Sequence, residues 1–339
     1  MKTYRFDTLD GLDALRLHGE PTPTPQRGEV LVRVHSVALN YRDLALALGR
    51  YIGPATAGLV PCSDAAGEIV ACGDGVNAWK PGDRVISTFH PRWFGGRPPR
   101  TMGRDSYGAG QDGWLSEYRV VSQEALVALP GGLTFAEGAT LPCAATTAWT
   151  ALSGQTPIRA GQTVLTLGTG GVSIFALQLA KSVGATVIST TSSAAKAERL
   201  KALGADHVVN YVETPAWGRH IRKALTGGGG VDCVVEVGGG GTVGESLAAV
   251  RWGGEVVLIG FLTTDNPGLD YFQIKNSGAT IRSIGVGDRA ALEDLVRAVS
   301  GAGIRPVIDR VFAFDEARQA FEHLQAAAHV GKVVIQVAG

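Results

Sequence analysis

A glycine-rich segment in the middle of the chain, Gly168-Thr169-Gly170-Gly171-Val172-Ser173, has the residue types and spacing that can hold a phosphate group. Glycines let the backbone turn sharply and approach a pyrophosphate, whose negative charge is stabilised by the N–H groups at a helix N-terminus. A plain strand-to-helix turn can use the same residues, so the flanking segments decide. An apolar run at 163–167 precedes the loop and a helical pattern at 174–183 follows it, which predicts a dinucleotide site over residues 168–172.

Residues 190–196 indicate which nucleotide is bound, because they end the next strand about 20 positions further on. An acidic residue there would accept a hydrogen bond from a ribose 2′-hydroxyl, but the first acid is Glu198. The groups that could instead donate to a 2′-phosphate are those of Thr191, Ser192, Ser193 and Lys196. The alternative is that the serines cap the next helix and Lys196 is solvated, and both can hold together. We predict NADPH, with NADH the less favoured cofactor.

The elements around the loop alternate between strand and helix. Strands are predicted at 163–167, 186–190, 208–209, 231–237 and 255–259, and helices at 174–183, 194–203, 217–225 and 243–250. This order is typical of an α/β doubly wound parallel sheet. Half-buried strands are predicted upstream at 30–37, 66–73 and 84–87, and a further helix at 289–300. The chain therefore reads as one domain interrupted by another, over residues 1–145 with 288–339 and over residues 146–287.

Composition excludes several classes of protein. The 339 residues are 45% hydrophobic and 18% charged, which suits two ordinary cores. Thirty-one Lys and Arg offset thirty-one Asp and Glu, so no net field favours nucleic acid or an anionic membrane. No apolar run reaches the ~18 residues of a membrane span, and no signal peptide is evident. The four scattered cysteines indicate reduced thiols in a cytoplasmic protein.

Six short segments together resemble the medium-chain dehydrogenase/reductase superfamily over essentially the whole chain. They are the glycine loop, Asn40-Tyr41-Arg42-Asp43, Lys80-Pro81-Gly82-Asp83-Arg84-Val85, Leu141-Pro142-Cys143-Ala144, Leu203-Gly204-Ala205-Asp206 and Gly331-Lys332-Val333-Val334. The likeness is nearest to the zinc-independent, quinone-oxidoreductase-like branch. It implies a GroES-like β-rich catalytic domain, made from both chain ends, around a Rossmann domain. It also implies a homodimer or a tetramer, and strands near 280–284 could pair across a two-fold axis.

The same resemblance bears on a metal. Zinc enzymes of the superfamily hold a catalytic ion with Cys, His and Cys or Asp, beside a Glu. The matching positions here are Asn40, Ser63 and Cys143, with Asp64 at the glutamate. One true ligand is left where a catalytic zinc needs three, and the structural-zinc lobe matches residues 90–113, which hold no cysteine. We predict no zinc at either place and interpret Cys62 and Cys143 as packed thiols, with a weak fortuitous site between them left open.

Without a Lewis acid, hydride transfer favours an acceptor that spreads the incoming charge itself. A quinone or an α,β-unsaturated carbonyl does so, and the protein then supplies position and hydrogen-bond donors. Asn40 is a candidate for binding a carbonyl oxygen, the resemblance places Tyr51 in the substrate cleft, and Asp43 would orient the loop. Alternatively Asn40 caps a helix starting at Tyr41 and Tyr51 is a core residue. The rival functions are an alcohol or aldehyde dehydrogenase of the same superfamily and a non-catalytic NADPH-binding protein.

Further cofactor contacts follow from the predicted strand ends and from the family. Open α/β sheets bind ligands at the carboxyl ends of their strands. The remaining cofactor-binding candidates are Thr147, Tyr211, Val237, Gly238, Gly260, Phe261, Leu262 and Lys332. The family places Thr147 beside the nicotinamide and Lys332 near the phosphates, although Lys332 could equally be a solvated lysine at a strand edge. Tyr271 and Lys275 mimic the pair of short-chain dehydrogenases, but the mid-chain glycine loop makes that match a coincidence.

Overall fold

A computed structural model describes residues 1–51, 55–263 and 268–338. The chain forms two compact units, one from Met1–Thr146 with Gly287–Gly339 and the other from Thr147–Val286. The first unit is thus assembled from both ends of the chain. None of the helices in the described part of the chain is long and apolar enough to cross a membrane.

The first unit is built on a sheet of seven strands within the described residues. Their order is β14-β15-β3-β4-β5-β7, with β6 paired to β3. A separate hairpin pairs β1 with β2. The strands are β1 Lys2–Phe6, β2 Leu15–Gly19, β3 Glu29–Leu39, β4 Asp64–Cys72, β5 Arg84–Ser87, β6 Tyr118–Ser122, β7 Leu126–Ala128, β14 Ile308–Ala313 and β15 Lys332–Gln336.

Strand β15 joins the two ends of the chain. It pairs antiparallel with β3, with Val333 opposite Leu39, and parallel with β14. Its side chains are buried on both faces from Lys332 to Ile335, and Gln336 is exposed. The helices of this unit are α1 Tyr41–Ala47, α2 Phe135–Ala139, α9 Arg289–Gly301 and α10 Ala317–Gln325, with a π-helix at Leu141–Ala145. Helix α3, Thr146–Leu152, continues directly from that π-helix.

The second unit is a parallel sheet in the order β10-β9-β8-β11-β12-β13. This is the doubly wound order in which the chain returns to the middle of the sheet after its third strand. The strands are β8 Thr163–Leu167, β9 Thr186–Thr191, β10 His207–Asn210, β11 Val231–Glu236, β12 Val250–Leu258 and β13 Thr280–Ser283. The helices are α4 Gly171–Ser182, α5 Ala194–Ala202, α6 Trp217–His220, α7 Val243–Ala249 and α8 Tyr271–Ser277, with a π-helix at Ile221–Leu225.

The predicted fold class, an α/β chain with a GroES-like β-rich domain and a Rossmann domain, is confirmed. The apolar runs gave the central strands to within a few residues, since a strand covered on both faces needs a continuous apolar stretch. Strand β12 differs most, because it begins at Val250, opposite Val231, and then carries the irregular, partly exposed segment 251–254 before the predicted start.

Candidate active site

A cluster of buried polar residues gathers where β3 ends and α1 begins. Asn40 has the extended backbone of a residue that precedes a helix, and Tyr41 starts α1. The Asp43 carboxylate accepts a hydrogen bond of 2.8 Å from the backbone N–H of Asn40. A carboxylate in the first turn satisfies a donor that the helix cannot, so Asp43 fixes the chain at Asn40. The predicted helix start at Tyr41 and the orienting position of Asp43 agree with this geometry.

The side chain of Asn40 is held by a lysine that is distant in sequence. Lys332 Nζ donates to Asn40 Oδ1 at 2.5 Å and to the carbonyl oxygen of Leu39 at 2.6 Å. It also lies 4.0 Å from Asp64 Oδ2. Lys332 is only 3% exposed, so its interpretation as a solvated lysine at a strand edge is wrong. The error arose because β15 is the last strand of the chain but not the last strand of the sheet, in which it lies between β14 and β3.

Ser63 and Asp64 complete the cluster from the start of β4. Asn40 Nδ2 donates to Ser63 Oγ over a long 3.4 Å, and Ser63 Oγ donates to Asp64 Oδ1 at 2.6 Å. The backbone N–H of Cys143 donates to Asp64 Oδ2 at 3.1 Å. Burial raises the pKa of Asp64, while Lys332 and these hydrogen bonds oppose the rise. The four side chains of Lys332, Asn40, Ser63 and Asp64, here called the amide cluster, form a continuous hydrogen-bonded group.

A second charged pair lies beside the amide cluster. The Arg42 guanidinium carbon lies 5.2 Å from the centre of the Tyr51 ring and 4.7 Å from that of Phe89. Arg42 donates to the carbonyl oxygen of Tyr107 at 2.8 Å and lies 3.6 Å from Asp43. Tyr51 is half-buried with its ring against Arg42, so it is not a fully buried core residue.

Burial shifts the pKa of the acid in this pair. Asp43 is fully buried, and desolvation raises its pKa from 3.8 to about 6, although Arg42 and the Asn40 N–H oppose the rise. At this place the first unit buries two carboxylates, Asp43 and Asp64, and two cations, Arg42 and Lys332. Each charge has an oppositely charged neighbour, which is the usual condition for burying ions.

In the second unit, the glycine loop connects β8 to α4 as predicted. Gly168 has φ +72°, a left-handed conformation that favours glycine, and no atom lies within 4 Å of where a side chain would begin. Gly170 precedes α4, and Gly171 is its first residue. Ser173, which departs from the usual glycine, donates from Oγ to the carbonyl oxygen of Leu167 at 2.6 Å. The departure therefore ties the helix to the end of the strand.

In the segment after β9, one of the predicted phosphate-binding hydroxyl groups makes a hydrogen bond within the protein. Ser193 precedes α5 and accepts a hydrogen bond of 3.3 Å from the N–H of Lys196, so the capping alternative is confirmed for Ser193. Thr191 is buried and Ser192 is exposed. The backbone N–H of Tyr211 donates to the carbonyl oxygen of Thr191, and the Tyr211 side chain is exposed. Thr191, Ser192, Lys196 and Tyr211 thus share one end of strands β9 and β10.

The loop after β11 is held by a residue that the motifs did not indicate. Glu236 is completely buried, and its Oε1 accepts from the N–H of Gly238 at 2.7 Å and from Thr242 Oγ1 at 2.6 Å. Its other oxygen accepts from Ser246 Oγ. An acid at the end of an apolar strand, followed by four consecutive glycines, was the available signal. Glu236 fixes the loop that holds the predicted cofactor residues Val237 and Gly238.

The remaining candidates lie at two other places in this unit. Gly260 follows β12 and passes so close to Val237 that a side-chain carbon would stand 2.0 Å from the Val237 carbonyl oxygen. Phe261 and Leu262, which come next, are exposed. Thr147 is 2% exposed in helix α3. The carboxyl ends of parallel strands lie at one edge of a sheet. The candidate segments that begin at or near residues 168, 191, 237 and 260 stand at the carboxyl ends of β8, β9, β11 and β12, so they share that edge.

This edge fits a dinucleotide. The order of the strands reverses between β8 and β11, which is where open α/β sheets form their ligand crevice. The glycine loop leaves open space above its backbone and ends on the N-terminus of the twelve-residue helix α4. Backbone N–H groups and a helix N-terminus are the features that bind a pyrophosphate.

Comparison with known proteins agrees with this arrangement. A family model described as an alcohol dehydrogenase GroES-like domain matches residues 26–131, and one described as a zinc-binding dehydrogenase matches residues 171–301. A zinc-type alcohol dehydrogenase-like protein of Schizosaccharomyces pombe is 41% identical over 340 residues, which are 98% of this chain and 97% of that protein. The chain belongs to the medium-chain dehydrogenase/reductase superfamily.

Two further relatives of this chain are a reductase and an alcohol dehydrogenase. A 2-methylene-furan-3-one reductase of Solanum lycopersicum is 30% identical over 341 residues, 99% of this chain and 79% of that protein. The crystal structure of a NAD-dependent alcohol dehydrogenase is 30% identical, covers 100% of both chains and superposes with a TM-score of 0.91. The chain is therefore an oxidoreductase of a superfamily that binds NAD or NADP.

The donor set at the positions that match zinc ligands does not fit zinc. Asn40 Oδ1 accepts from an ammonium group, and the Ser63 hydroxyl donates to Asp64. Burial raises the pKa of the Cys143 thiol, and Asp64 raises it further, whereas a metal ligand must be a thiolate. Among the residues that the structure describes, no group of three or more His, Cys, Asp or Glu side chains could hold a metal ion.

Proposed function

We propose that this protein is an NADPH-dependent reductase that transfers hydride, without zinc, to a quinone or an α,β-unsaturated carbonyl. The observation that carries the proposal is the amide cluster, which has an amide and a hydroxyl at two positions that match zinc ligands and the ammonium group of Lys332 bound to that amide. Hydride addition to a conjugated acceptor leaves negative charge on its oxygen. Hydrogen-bond donors are sufficient to stabilise that charge, whereas alkoxide formation from a simple alcohol benefits from a metal.

The residues of the first unit have separate roles in this proposal. The Asn40 amide binds the oxygen of the acceptor, and Tyr51 lines the place where the acceptor lies. Asp43 holds the Asn40 backbone through its 2.8 Å hydrogen bond, so that the amide stays at a fixed position. Arg42 packs on the Tyr51 ring and orients it. Fixed donors are effective because they need no reorganisation when charge develops.

The residues of the second unit bind the cofactor. The bound nicotinamide supplies the hydride. The glycine loop, with Gly168, Thr169, Gly170, Gly171 and Val172, binds the pyrophosphate, and Thr147 lies beside the nicotinamide. The groups proposed for the 2′-phosphate and its ribose are those of Thr191, Ser192, Ser193, Lys196 and Tyr211. The crevice is completed by Val237, Gly238, Gly260, Phe261 and Leu262. For Lys332, which the resemblance placed near the phosphates, we propose a role in the first unit instead.

The tomato relative supports the acceptor class. As its name states, it reduces a 2-methylene-furan-3-one, in which a carbon–carbon double bond is conjugated to a ketone. The likeness to that reductase covers 99% of this chain. The quinone and enone alternatives share one chemistry, since both accept hydride at carbon and gain charge at oxygen.

The test is NADPH oxidation, followed at the reduced-nicotinamide absorbance band with quinones, enals, aldehydes and alcohols after treatment with a metal chelator. We expect turnover with enals or quinones that the chelator does not change. Alcohol oxidation only after zinc is added would favour an alcohol dehydrogenase instead. Tight NADPH binding with no turnover of any compound would favour a non-catalytic binding protein. The Asn40→Ala variant is the matched control, since its NADPH affinity should stay unchanged while turnover falls.

We also propose a cytoplasmic homodimer that pairs through β13. This strand is at the edge of the six-stranded sheet, where unpaired backbone groups are available to a second chain. Ile281 on this strand and Tyr271 and Phe272 on the preceding helix are exposed apolar residues. Light scattering should give twice the chain mass, and Ile281→Pro, which removes a backbone donor, should give the monomer.

A further inference from the structure

A buried lysine at position 332 needs a reason, because an ammonium group is costly to remove from water. Lys332 is 3% exposed on an interior strand of the first unit. Its Nζ donates to Leu39 O at 2.6 Å and to Asn40 Oδ1 at 2.5 Å, and the Asp64 carboxylate lies 4.0 Å away. These partners compensate for the lost hydration. An apolar residue would fit an interior strand without that cost, so the ammonium has a further use.

The ammonium fixes which way round the Asn40 amide lies. A lysine ammonium has three donors and no acceptor, so only the oxygen of an amide can face it. The contact with Lys332 therefore places Oδ1 toward β15 and Nδ2 on the other side, toward Ser63 and Asp64. Nδ2 carries two hydrogens, which face the Asp64 carboxylate and Ser63 Oγ, and the hydrogen bond to Ser63 Oγ is long at 3.4 Å. An incoming carbonyl oxygen can compete for a bond of that length.

We propose that Lys332 is a positioning residue that holds the Asn40 amide with Nδ2, and not Oδ1, toward the oxygen of the hydride acceptor. This inference rests on the proposed function, in which Asn40 binds that oxygen. When hydride adds to the conjugated carbon, the carbon–carbon π pair forms a new double bond to the carbonyl carbon and the carbonyl π pair moves to the oxygen, where an N–H group stabilises it. The resulting enolate then takes a proton from water. A reversed amide would place its own oxygen beside the acceptor oxygen and repel the developing charge.

Kinetics distinguish this role from the phosphate contact that the family resemblance implied. In Lys332→Met, which keeps the apolar stem and removes the ammonium, kcat with an enal should fall by about tenfold to a hundredfold. The dissociation constant for NADPH should stay unchanged, whereas a lysine that contacts phosphate would lose NADPH affinity and keep kcat at saturation. Lys181→Met, which removes a partly exposed lysine paired with Asp206, should change neither value. Loss of NADPH affinity in Lys332→Met with kcat preserved would overturn the proposal.

Two further variants show whether the effect passes through Asn40. If Lys332 acts by orienting the amide, the double variant Asn40→Ala with Lys332→Met should have the kcat of Asn40→Ala alone. Additive losses would contradict a shared action. Because Lys332→Met leaves the Asp64 charge buried beside fewer partners, the single variant could fold poorly. The double variant Asp64→Asn with Lys332→Met removes both charges together and should show the same loss of kcat.

A measurement without turnover separates this inference from the proposed function. The chain has five asparagines, so protein labelled with ¹⁵N-asparagine gives a simple spectrum of side-chain amides. The Asn40 pair of signals is assigned by its disappearance in Asn40→Ala. It should shift in Lys332→Met and stay in place in Lys181→Met. An unshifted Asn40 signal in Lys332→Met overturns the inference, whereas a shifted signal in a protein that reduces no acceptor overturns the proposed function and leaves the orientation of Asn40 supported.

Discussion

The two units of this protein build their sites in opposite ways. The second unit offers mainly backbone to the proposed cofactor, at the glycine loop and at the ends of parallel strands. The first unit offers side chains that are buried and charged, with Lys332 against Asn40 and Asp64, and Arg42 against Asp43. A backbone site depends on conformation, which local sequence controls. A side-chain site depends on contacts between residues far apart in the chain.

This difference decides what a substitution can do in each unit. In the second unit, a change of backbone geometry should remove the cofactor, while most side-chain changes should only adjust affinity. In the first unit, a single change of charge should alter both stability and its dependence on pH, because neighbouring ions are buried together.

The largest effect is expected at the glycine loop, where backbone groups are proposed to bind the cofactor directly. Gly168→Val should weaken NADPH binding by about 4 kcal/mol, roughly a thousandfold, because valine is strained at φ +72° and its side chain occupies the space for the pyrophosphate. Fluorescence titration with NADPH measures the change.

Gly161→Val is the matched control for backbone strain. Gly161 has φ +81°, and nothing lies within 4 Å of its missing side chain, but it lies in the turn that precedes β8, at the other end of that strand. Its variant should be less stable and keep normal NADPH affinity. Equal loss of affinity in both variants would show that strain alone, and not the position of the loop, explains the result.

The buried carboxyl group of Asp43 in the first unit should make the stability of the protein depend on pH. The pKa of Asp43 is raised by burial from 3.8 to about 6, so between these pH values the folded state binds more protons than the unfolded state. Stability therefore falls as pH rises through this window, by roughly 3 kcal/mol from this one group. Asp43→Asn removes the titration and keeps an oxygen for the Asn40 N–H. The unfolding free energy of the wild type minus that of the variant, measured by urea denaturation, should therefore decrease by roughly 2 kcal/mol between pH 4 and pH 7, which covers most of this range.

Asp309 provides a control of opposite sign. Burial acts to raise its pKa, but hydrogen bonds from the Val330 N–H and His323 outweigh it, so the pKa is lowered. Its ionised form stabilises the fold above the ordinary aspartate pKa, and that contribution is lost as pH falls. The Asp309→Asn comparison should therefore change in the opposite direction and at lower pH. The same slope in both comparisons would contradict a specific effect of burial at Asp43.

The sequence was sufficient for most of the second unit, and the reason is physical. A continuous apolar run such as 163–167 has few alternatives to a doubly covered strand, and Gly168 marks a backbone that other residues rarely adopt. Both signals are local. Glu236 was missed because its role depends on the N–H groups of the following loop, which no spacing rule describes.

The first unit was harder to predict at its site than in its strands. Asn40, Asp43 and the start of α1 follow from a short segment, as helix starts do. The contact between Lys332 and Asn40 joins residues 292 positions apart and depends on β15 pairing with β3. Nothing in the sequence specifies that register, so the lysine was interpreted from its neighbours in the chain and not from its neighbours in space.

A smaller effect is expected where a side chain of the second unit adjusts specificity. Lys196→Glu should weaken NADPH binding by about tenfold, or about 1.4 kcal/mol, through repulsion of the 2′-phosphate. NADH affinity should change little, because NADH lacks that phosphate. The two dissociation constants, measured on one preparation, give the ratio directly. An equal loss for both cofactors would contradict a contact with the 2′-phosphate.

The smallest effect is expected from a side chain in the same segment that already has a structural partner. Ser193 Oγ accepts the N–H of Lys196 at the start of α5, so Ser193→Ala should lower the unfolding free energy by about 1 kcal/mol. Ser193→Asp should restore the cap but place a negative charge near the proposed 2′-phosphate. If both variants keep the wild-type ratio of NADPH to NADH affinity, Ser193 is only a cap. A lower ratio for Ser193→Asp alone would place this helix start beside the phosphate, because the two variants differ in charge while the aspartate preserves the cap.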